Sequence, residues 1–431
     1  MTSGENEQFL GKSPDGSLVP VIQPFPRSDV PIRLYRPGTR ERSLTESQRK
    51  ELLDFSNPGH LKLSVLSNGI NIGDGSIFQT AEFAANQFPY GYSSQAARRI
   101  RTIPGEFVLP NDVYVGLNFR ENSPWSLDMV EGKPYLTHAG EAVVPVDFVP
   151  RPEYYGKKLS NGQMTEQVAP LYGSKYILSY FLRGGCYYFA VDKACKFCSL
   201  NPTRKDLGAD NLAYVKPKIA QEAAELAFAS DQDIKYVNYC SGNDKNNDRG
   251  VQHFIDVVRA VKATSPDNVR HHVITMPPDT LSLLQDLKDA GAGTVNFAIE
   301  VFDPGLFAEV CSGKDSLYGR DKFFDAIREG VRVFGEGKTF YNFVGGMEPV
   351  ENVIKGFETF ARMGAAPSVN VFHPDPESAY ADRSSPSEEY LMEMAKAQAS
   401  IYKRYPNFTT IYPVGGSRNS LDTEILRGFF N

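Results

Sequence analysis

The stretch Tyr176-Ile177-Leu178-Ser179-Tyr180-Phe181-Leu182-Arg183-Gly184-Gly185-Cys186 runs on through Tyr187-Tyr188-Phe189-Ala190-Val191-Asp192-Lys193-Ala194 to Cys195-Lys196-Phe197-Cys198-Ser199-Leu200. Its first seven residues are apolar or aromatic apart from Ser179, as a buried strand requires, and the glycine pair ends that strand. Three cysteines follow within thirteen residues, at spacings that leave eight residues and then two between them. Downstream, strand patterns recur at Ile234 to Cys240, Arg270 to Thr275, Thr294 to Ile299, Thr339 to Val344 and Ser368 to Phe372. Helical patterns separate them at about 216–230, 249–263, 280–290, 321–335 and 350–363; in the second, Val251, Phe254, Val258 and Val261 fall on one face. Strands alternating with helices predict an α/β fold with a parallel sheet of right-handed βαβ units. Six units are too few for a closed eight-unit barrel, so the expected form is an open, partial (β/α)6 barrel. In such arrays the chemistry sits at the C-terminal ends of the strands, which is where the cysteines fall.

Upstream of the strand the texture differs. Residues 1 to about 170 are rich in Pro and Gly, with little helical periodicity after Arg42 to Phe55. They carry alternating stretches such as Val113, Val115 and Leu117, and turn pairs at Asn68-Gly69 and Asp74-Gly75. This predicts a β-rich or irregular N-terminal region; its histidines, His60 and His138, read as surface or satisfied residues. After the last strand, Ser385-Pro386-Ser387-Glu388 carries an N-terminal helix signature with Ser385 as cap and Pro386 at the first helical position. Tyr390, Met394, Ala397 and Ile401 follow at helical spacing, and the turn-rich segment from Thr409 closes one end. The expected division is therefore 1–170, 171–380 and 381–431.

Composition limits the function classes. The 431 residues hold 46 basic and 52 acidic side chains, a formal charge of -6, so no global basic field invites nucleic acid. No run approaches the roughly 20 apolar residues of a membrane span, and the start MTSGENEQFL lacks an export pattern, so a cytoplasmic protein without membrane partner is expected. The five cysteines are odd in number and absent from the first 185 residues, which is unlike a disulfide framework. Three clustered thiolates suit a metal site. A structural zinc needs a fourth ligand, such as a distant Asp192 or His373, whereas a [4Fe–4S] cluster on Cys186, Cys195 and Cys198 leaves one iron open to an external chelator. Three buried thiols without function remain the bland alternative.

This loop resembles the cluster loop of the radical S-adenosylmethionine superfamily, in which three cysteines follow the first strand of a partial (β/α)6 barrel, usually as CxxxCxxC with an aromatic residue before the last. Phe197 holds that aromatic position; the first interval is longer here, and five extra loop residues cost little. Later segments resemble those of biotin and lipoyl synthases. The resemblance implies that Ser241, Gly242 and Asn243 bind the amino group of S-adenosylmethionine, and that Glu300 accepts from its ribose or amino group. It implies that Arg320 pairs with the carboxylate, in competition with a plain solvated arginine at a helix start. Val344 and Gly345 would lie along the adenine, and His373 would contact cofactor or substrate, or serve structure alone. It further implies reductive cleavage to a 5′-deoxyadenosyl radical, an external electron donor such as flavodoxin or ferredoxin, and hydrogen abstraction from a small biosynthetic intermediate. A peptide or carrier-bound substrate and a non-catalytic iron–sulfur or zinc protein are the alternatives. Cys240, at the end of the second strand, is a candidate hydrogen donor to a substrate radical, set against a buried small hydrophobe. With Cys311 it is one of two thiols left over, too few for a second conventional cluster.

Overall fold

A computed structural model of the chain describes residues 10–12, 18–20, 52–73, 75–80, 104–201, 214–230, 232–375 and 377–430. The expected helical stretch from Arg42 falls outside them up to residue 51, as does Asp74 of one expected turn. Two units are distinguished, Met1–Arg40 and Glu41–Asn431. In the first, β1 (Leu10–Lys12) and β2 (Leu18–Pro20) pair antiparallel.

In the second unit, β9 (Ile177–Phe181), β10 (Tyr236–Cys240), β11 (Arg270–Thr275), β12 (Thr294–Glu300), β13 (Thr339–Gly345) and β14 (Ala366–Val371) form a six-stranded parallel sheet in sequential order. β9 and β14 are its edges. The crossovers are α4 (Pro217–Phe228), α5 (Asn247–Lys262), α6 (Leu283–Asp289), α9 (Arg320–Phe334) and α10 (Val350–Ala361). The fold is thus mixed α/β with a parallel sheet, as the alternating pattern requires. Each helix turns its apolar face to the sheet: Val251, Phe254, Val258 and Val261 of α5 are all buried.

Between β12 and α9 lie two short helices that sequence periodicity does not show, α7 (Pro304–Val310) and α8 (Ser312–Leu317). They are too short for a period to register, but Asp303-Pro304 carries the start signal: the Asp303 side chain accepts from Gly305 N and Leu306 N, and proline occupies the first turn.

The N-terminal part is β-rich as expected, with one correction. α1 (Pro58–Asn68) is an eleven-residue helix where little helical character is expected. It is buried nearly all round, Lys62 and Ser64 included, so it has no amphipathic period to read. Beside it are the hairpin β4 (Glu106–Leu109) and β5 (Val113–Gly116), and a second sheet in the order β3 (Asn71–Ile72), β6 (Trp125–Val130), β7 (Lys133–His138), β8 (Glu141–Pro145). The two-residue turns Glu131-Gly132 and Ala139-Gly140 have positive φ at both positions, the turn whose twist matches paired strands. Trp125, Leu127 and Leu136 form a separate small core with Leu61 and Val65 of α1.

The C-terminal helix, α11 (Glu388–Arg404), starts two residues later than its expected cap. Ser387, not Ser385, caps it by accepting from Tyr390 N. Glu388 is then buried and accepts from Asn68 Nδ2 at 2.9 Å, while Pro386 lends its carbonyl to Ser67 Oγ at 2.8 Å. The chain ends through α12 (Asp422–Leu426). No helix among the described residues is long and apolar enough to cross a membrane.

Candidate active site

Parallel strands that stop together leave their following loops at one end of the sheet, and here those loops surround a cavity of about 350 Å³. Its walls include Ser241 after β10, Thr275 of β11, Ala298 and Glu300 of β12, Asn342 and Val344 of β13, and Asn370 of β14. Cys186, Cys195 and Cys198 all line it, with Phe197 between the last two.

Three distant parts of the chain hold the cysteine loop in place. Tyr187 N donates to Asn243 O at 2.8 Å, and Arg183 donates to the same carbonyl. Lys196 N donates to Val310 O at 2.9 Å, at the end of α7. Behind Cys198, Ser199 Oγ donates to Asp375 Oδ2 at 2.8 Å, in the segment after β14. The longer first interval of the motif is used as structure, since α3 (Tyr187–Ala190) forms a turn of helix there, as α2 (Thr165–Val168) does before β9. Gly242 makes the closest approach: a Cβ there would stand 2.4 Å from Gly185 O and 2.8 Å from Cys186 Cα. Backbone must move to admit it, so Gly242→Ala is expected to displace Cys186 and lower the iron taken up on reconstitution several-fold. Wild-type iron content in that variant, by iron and sulfide assay, would contradict the packing argument.

The donor set fits a polynuclear site better than a single ion. Among the described residues no three His, Cys, Asp or Glu side chains converge closely enough to share one metal ion. The three thiols instead face a shared cavity from separate points of one loop, as ligands to the outside of an iron–sulfide cube must. Burial raises the Cys186 and Cys198 thiols above the ordinary pKa. Cys195 is lowered, first by a hydrogen bond from Cys311 and then, against burial, by the Lys314 ammonium.

Beside the thiols stands a buried ion pair. Lys314 Nζ of α8 lies 2.8 Å from Glu300 Oε1 and also donates to Ala298 O, while Asn342 Nδ2 donates to Glu300 Oε2 at 2.9 Å. Burial pulls the ammonium's pKa down, but the Glu300 carboxylate beside it outweighs that and lifts it above the ordinary value. Glu300 has φ +71°, in the register irregularity between Phe297 and Glu300 that re-aims the strand end. Lys314 was not visible as a site residue, because it lies on a short helix far from any motif.

At the other end of the cavity are Tyr172, His373, Arg418 and Asn419. Arg418 lies 4.1 Å over the Tyr172 ring, and its Nη1 donates to Gly105 O at 2.9 Å and Glu106 Oε2 at 3.1 Å. The C-terminal turn is thereby fastened to the β4–β5 hairpin and forms part of the cavity wall. Burial, then the Arg418 guanidinium, lowers the His373 pKa to about 4, so the imidazole is neutral at pH 7. Asp375, also on the wall, is pushed by burial from 3.8 to about 6. A carboxyl that binds its proton more tightly when folded destabilises the fold as pH rises from about 4 through about 6. Asp375→Asn is expected to gain on the wild type across that window by on the order of 3 kcal/mol. Denaturant titrations at pH 4 and pH 7 measure it; a pH-independent difference would contradict it.

Of the residues expected at the site, Ser241, Gly242, Asn243, Glu300, Val344 and His373 line the cavity with the cysteines and Phe197. Cys240, Gly345 and Arg320 do not. Cys240 Sγ donates to Tyr180 O at 3.7 Å, and Gly345 packs toward Met394 of α11. Arg320 starts α9 with its guanidinium 4.7 Å over Phe324 and 5.3 Å over Phe302, and donates to Phe302 O. Its aromatic and backbone partners occupy it away from the cavity.

No known family profile matches the chain. It is similar to the bacteriochlorophyllide c C-7(1)-hydroxylase of Chlorobaculum limnaeum, 23% identical over 262 residues, which are 58% of this chain and 65% of that protein. The chain thus spans just under two thirds of that relative's length. Among solved structures, the [FeFe]-hydrogenase maturase HydG aligns over 57% of this chain and 53% of its own, with TM-score 0.42 and 12% identity. Coproporphyrinogen III oxidase (HemN) from Escherichia coli, described as a radical SAM enzyme, aligns over 54% of each chain with TM-score 0.37 and 13% identity. A radical SAM methyltransferase from Sphaerobacter thermophilus aligns over 66% of this chain and 76% of its own, with TM-score 0.40 and 11% identity.

Proposed function

We propose that this chain is an enzyme of the radical S-adenosylmethionine superfamily, built on a partial (β/α)6 barrel, that acts on a small biosynthetic intermediate. The observation that carries the reading is the meeting of Cys186, Cys195 and Cys198 on one cavity at the C-terminal ends of a parallel sheet. Their thiolates would hold a [4Fe–4S] cluster. When bound, that group supplies the electron that cleaves S-adenosylmethionine to methionine and a hydrogen-abstracting 5′-deoxyadenosyl radical.

The chain's own residues do the placing. The Ser241 and Gly242 carbonyls accept from an ammonium group, and Glu300 with Asn342 presents hydrogen-bonding groups to a ribose diol. Val344, Ile274, Met276 and Phe372 give the walls an apolar lining that keeps water from a reactive intermediate. Residues 171–380 form the cofactor-binding part, 381–431 close it, and residues 1–170 serve substrate or partner. The relative's name, bacteriochlorophyllide c C-7(1)-hydroxylase, supports a small-molecule substrate here. An external donor such as flavodoxin or ferredoxin would supply the electron.

The test is anaerobic reconstitution with iron and sulfide, reduction, and assay for 5′-deoxyadenosine from S-adenosylmethionine. An iron–sulfur chromophore with reductive cleavage supports the enzyme; stoichiometric zinc without cleavage overturns it.

A further inference from the structure

The strand order leaves β9 and β14 as the two edges of the sheet, and separate stretches of chain cover them. Along β9, Ser179 N donates to Pro170 O at 2.8 Å and Tyr172 N to Ile177 O at 3.1 Å; along β14, Val371 N donates to Asn419 O at 2.8 Å. Arg418 joins the two coverings. Its guanidinium lies over the Tyr172 ring and donates to the Tyr172 hydroxyl, while its backbone carbonyl accepts from Gly116 N at 2.9 Å. Backbone and side chain together fix the cation at one place, and that place is on the cavity wall. Arginine stays charged at any physiological pH and carries five N–H donors. Nη1 gives to Gly105 O and Glu106 Oε2 and Nη2 to Tyr172, whereas Nε has no partner among the described residues. The residue is only 3% exposed, so bulk water does not complete its hydrogen bonding.

We propose that Arg418 binds a carboxylate of the substrate, so that the enzyme selects small molecules bearing an acid group. The inference deepens the radical S-adenosylmethionine reading above and rests on it. Glu106, the counter-ion of Arg418, does not itself line the cavity, and the two carboxylates that do are committed elsewhere: Glu300 to Lys314 and Asn342, Asp375 to Ser199. Beside Arg418, Asn419 Oδ1 accepts from Asn118 Nδ2 at 3.3 Å and packs on Gly116, where a Cβ would stand 2.1 Å from it. The Asn419 amide donors therefore point away from that contact. A fixed cation flanked by N–H donors, with its counter-ion set behind it, matches the two acceptor oxygens of a carboxylate. Because the guanidinium is already held, little freedom is lost when the ligand binds. The methionine carboxylate of S-adenosylmethionine is the poorer claimant: the cluster on Cys186, Cys195 and Cys198 holds that moiety, whereas Arg418 shares its part of the wall with Tyr172, His373 and Asn419.

The experiment uses the reconstituted full chain saturated with S-adenosylmethionine, so that the cofactor's own carboxylate is already placed, and titrates it with propionate and with its neutral isostere propionamide by ligand-observed nuclear magnetic resonance. The acid is expected to bind about tenfold to a hundredfold more tightly than the amide, the range of a hydrogen-bonded charge. R418Q should abolish that preference, and R418K, which keeps a point charge without the fork, should cut it several-fold. Lysine also preserves the charge opposite Glu106, so R418K decides the assignment if circular dichroism shows that R418Q does not fold. Equal affinity for acid and amide in the wild type would overturn the proposal, as would a preference unchanged in R418K. A wild-type chain that assembles no iron–sulfur chromophore and does not bind S-adenosylmethionine overturns the parent reading instead, and the acid–amide comparison on that chain still tells the two failures apart.

Discussion

Cys198→Ala is expected to abolish cluster assembly and S-adenosylmethionine cleavage while leaving the fold intact. Cys198 closes a backbone turn in which its N–H donates to Cys195 O at 3.0 Å, and alanine keeps that bond. Burial holds the free thiol protonated, so without metal its removal deletes no charge interaction. What is lost is one of three soft ligands on a cavity that offers no substitute thiol, since neither Cys240 nor Cys311 lines it. Loss of a mere supporting partner lowers metal affinity by about 10- to 100-fold, and loss of a ligand should exceed that. Iron content, the visible chromophore and 5′-deoxyadenosine yield measure the effect, with Cys240→Ala as the comparator that retains all three. Full iron uptake by Cys198→Ala, or equal loss in both variants, would sink the ligand assignment.

The second large effect is on stability. Lys62 of α1 and Glu424 of α12 form an ion pair at 3.0 Å with neither side chain exposed, and Lys62 Nζ also donates to Ser417 O at 2.8 Å. Burial pulls the ammonium's pKa down while Glu424 opposes it. Lys62→Met leaves the Glu424 carboxylate buried and uncompensated, a loss expected to cost about 3–5 kcal/mol. Replacing both with Lys62→Met and Glu424→Leu should recover most of it, because the pair's attraction is largely offset by its desolvation. Chemical denaturation of the three variants checks this; a single-variant cost under about 1 kcal/mol would mean that water reaches the pair. The effect reaches the site, because Ser417 adjoins Arg418 and Asn419 on the cavity wall.

The strands of the parallel sheet were legible because a parallel strand buried on both faces is a continuous apolar run, and the helices between them have one wet face. Every one of the six strand positions and five crossover helices expected from 171 onward has its counterpart, with ends differing by a few residues. Where burial is complete the pattern disappears, and α1 is the case: a lysine and a serine inside the protein look like surface residues until Glu424 and Glu388 are seen beside them. At the site, residues next to the strand ends, such as Ser241, Glu300 and Val344, were legible from position alone. Lys314, Asp375 and Arg418 were not, because each reaches the cavity from a segment with no local signature.

The sequence by itself determined the alternation of strands and helices, the end of the sheet on which the cysteines fall, and the soft, three-thiol character of the site. These are local properties: periodicity, spacing and donor type survive in a string of letters. Only the tertiary structure decided which groups surround those thiols. It turned Arg320 into an aromatic-stacked helix start, left Cys240 off the cavity wall, set Lys314 against Glu300, and tied Lys196 of the cysteine loop to Val310 across more than a hundred residues of chain. Such contacts arise from packing between distant segments, where geometry and desolvation select partners that spacing along the chain does not encode.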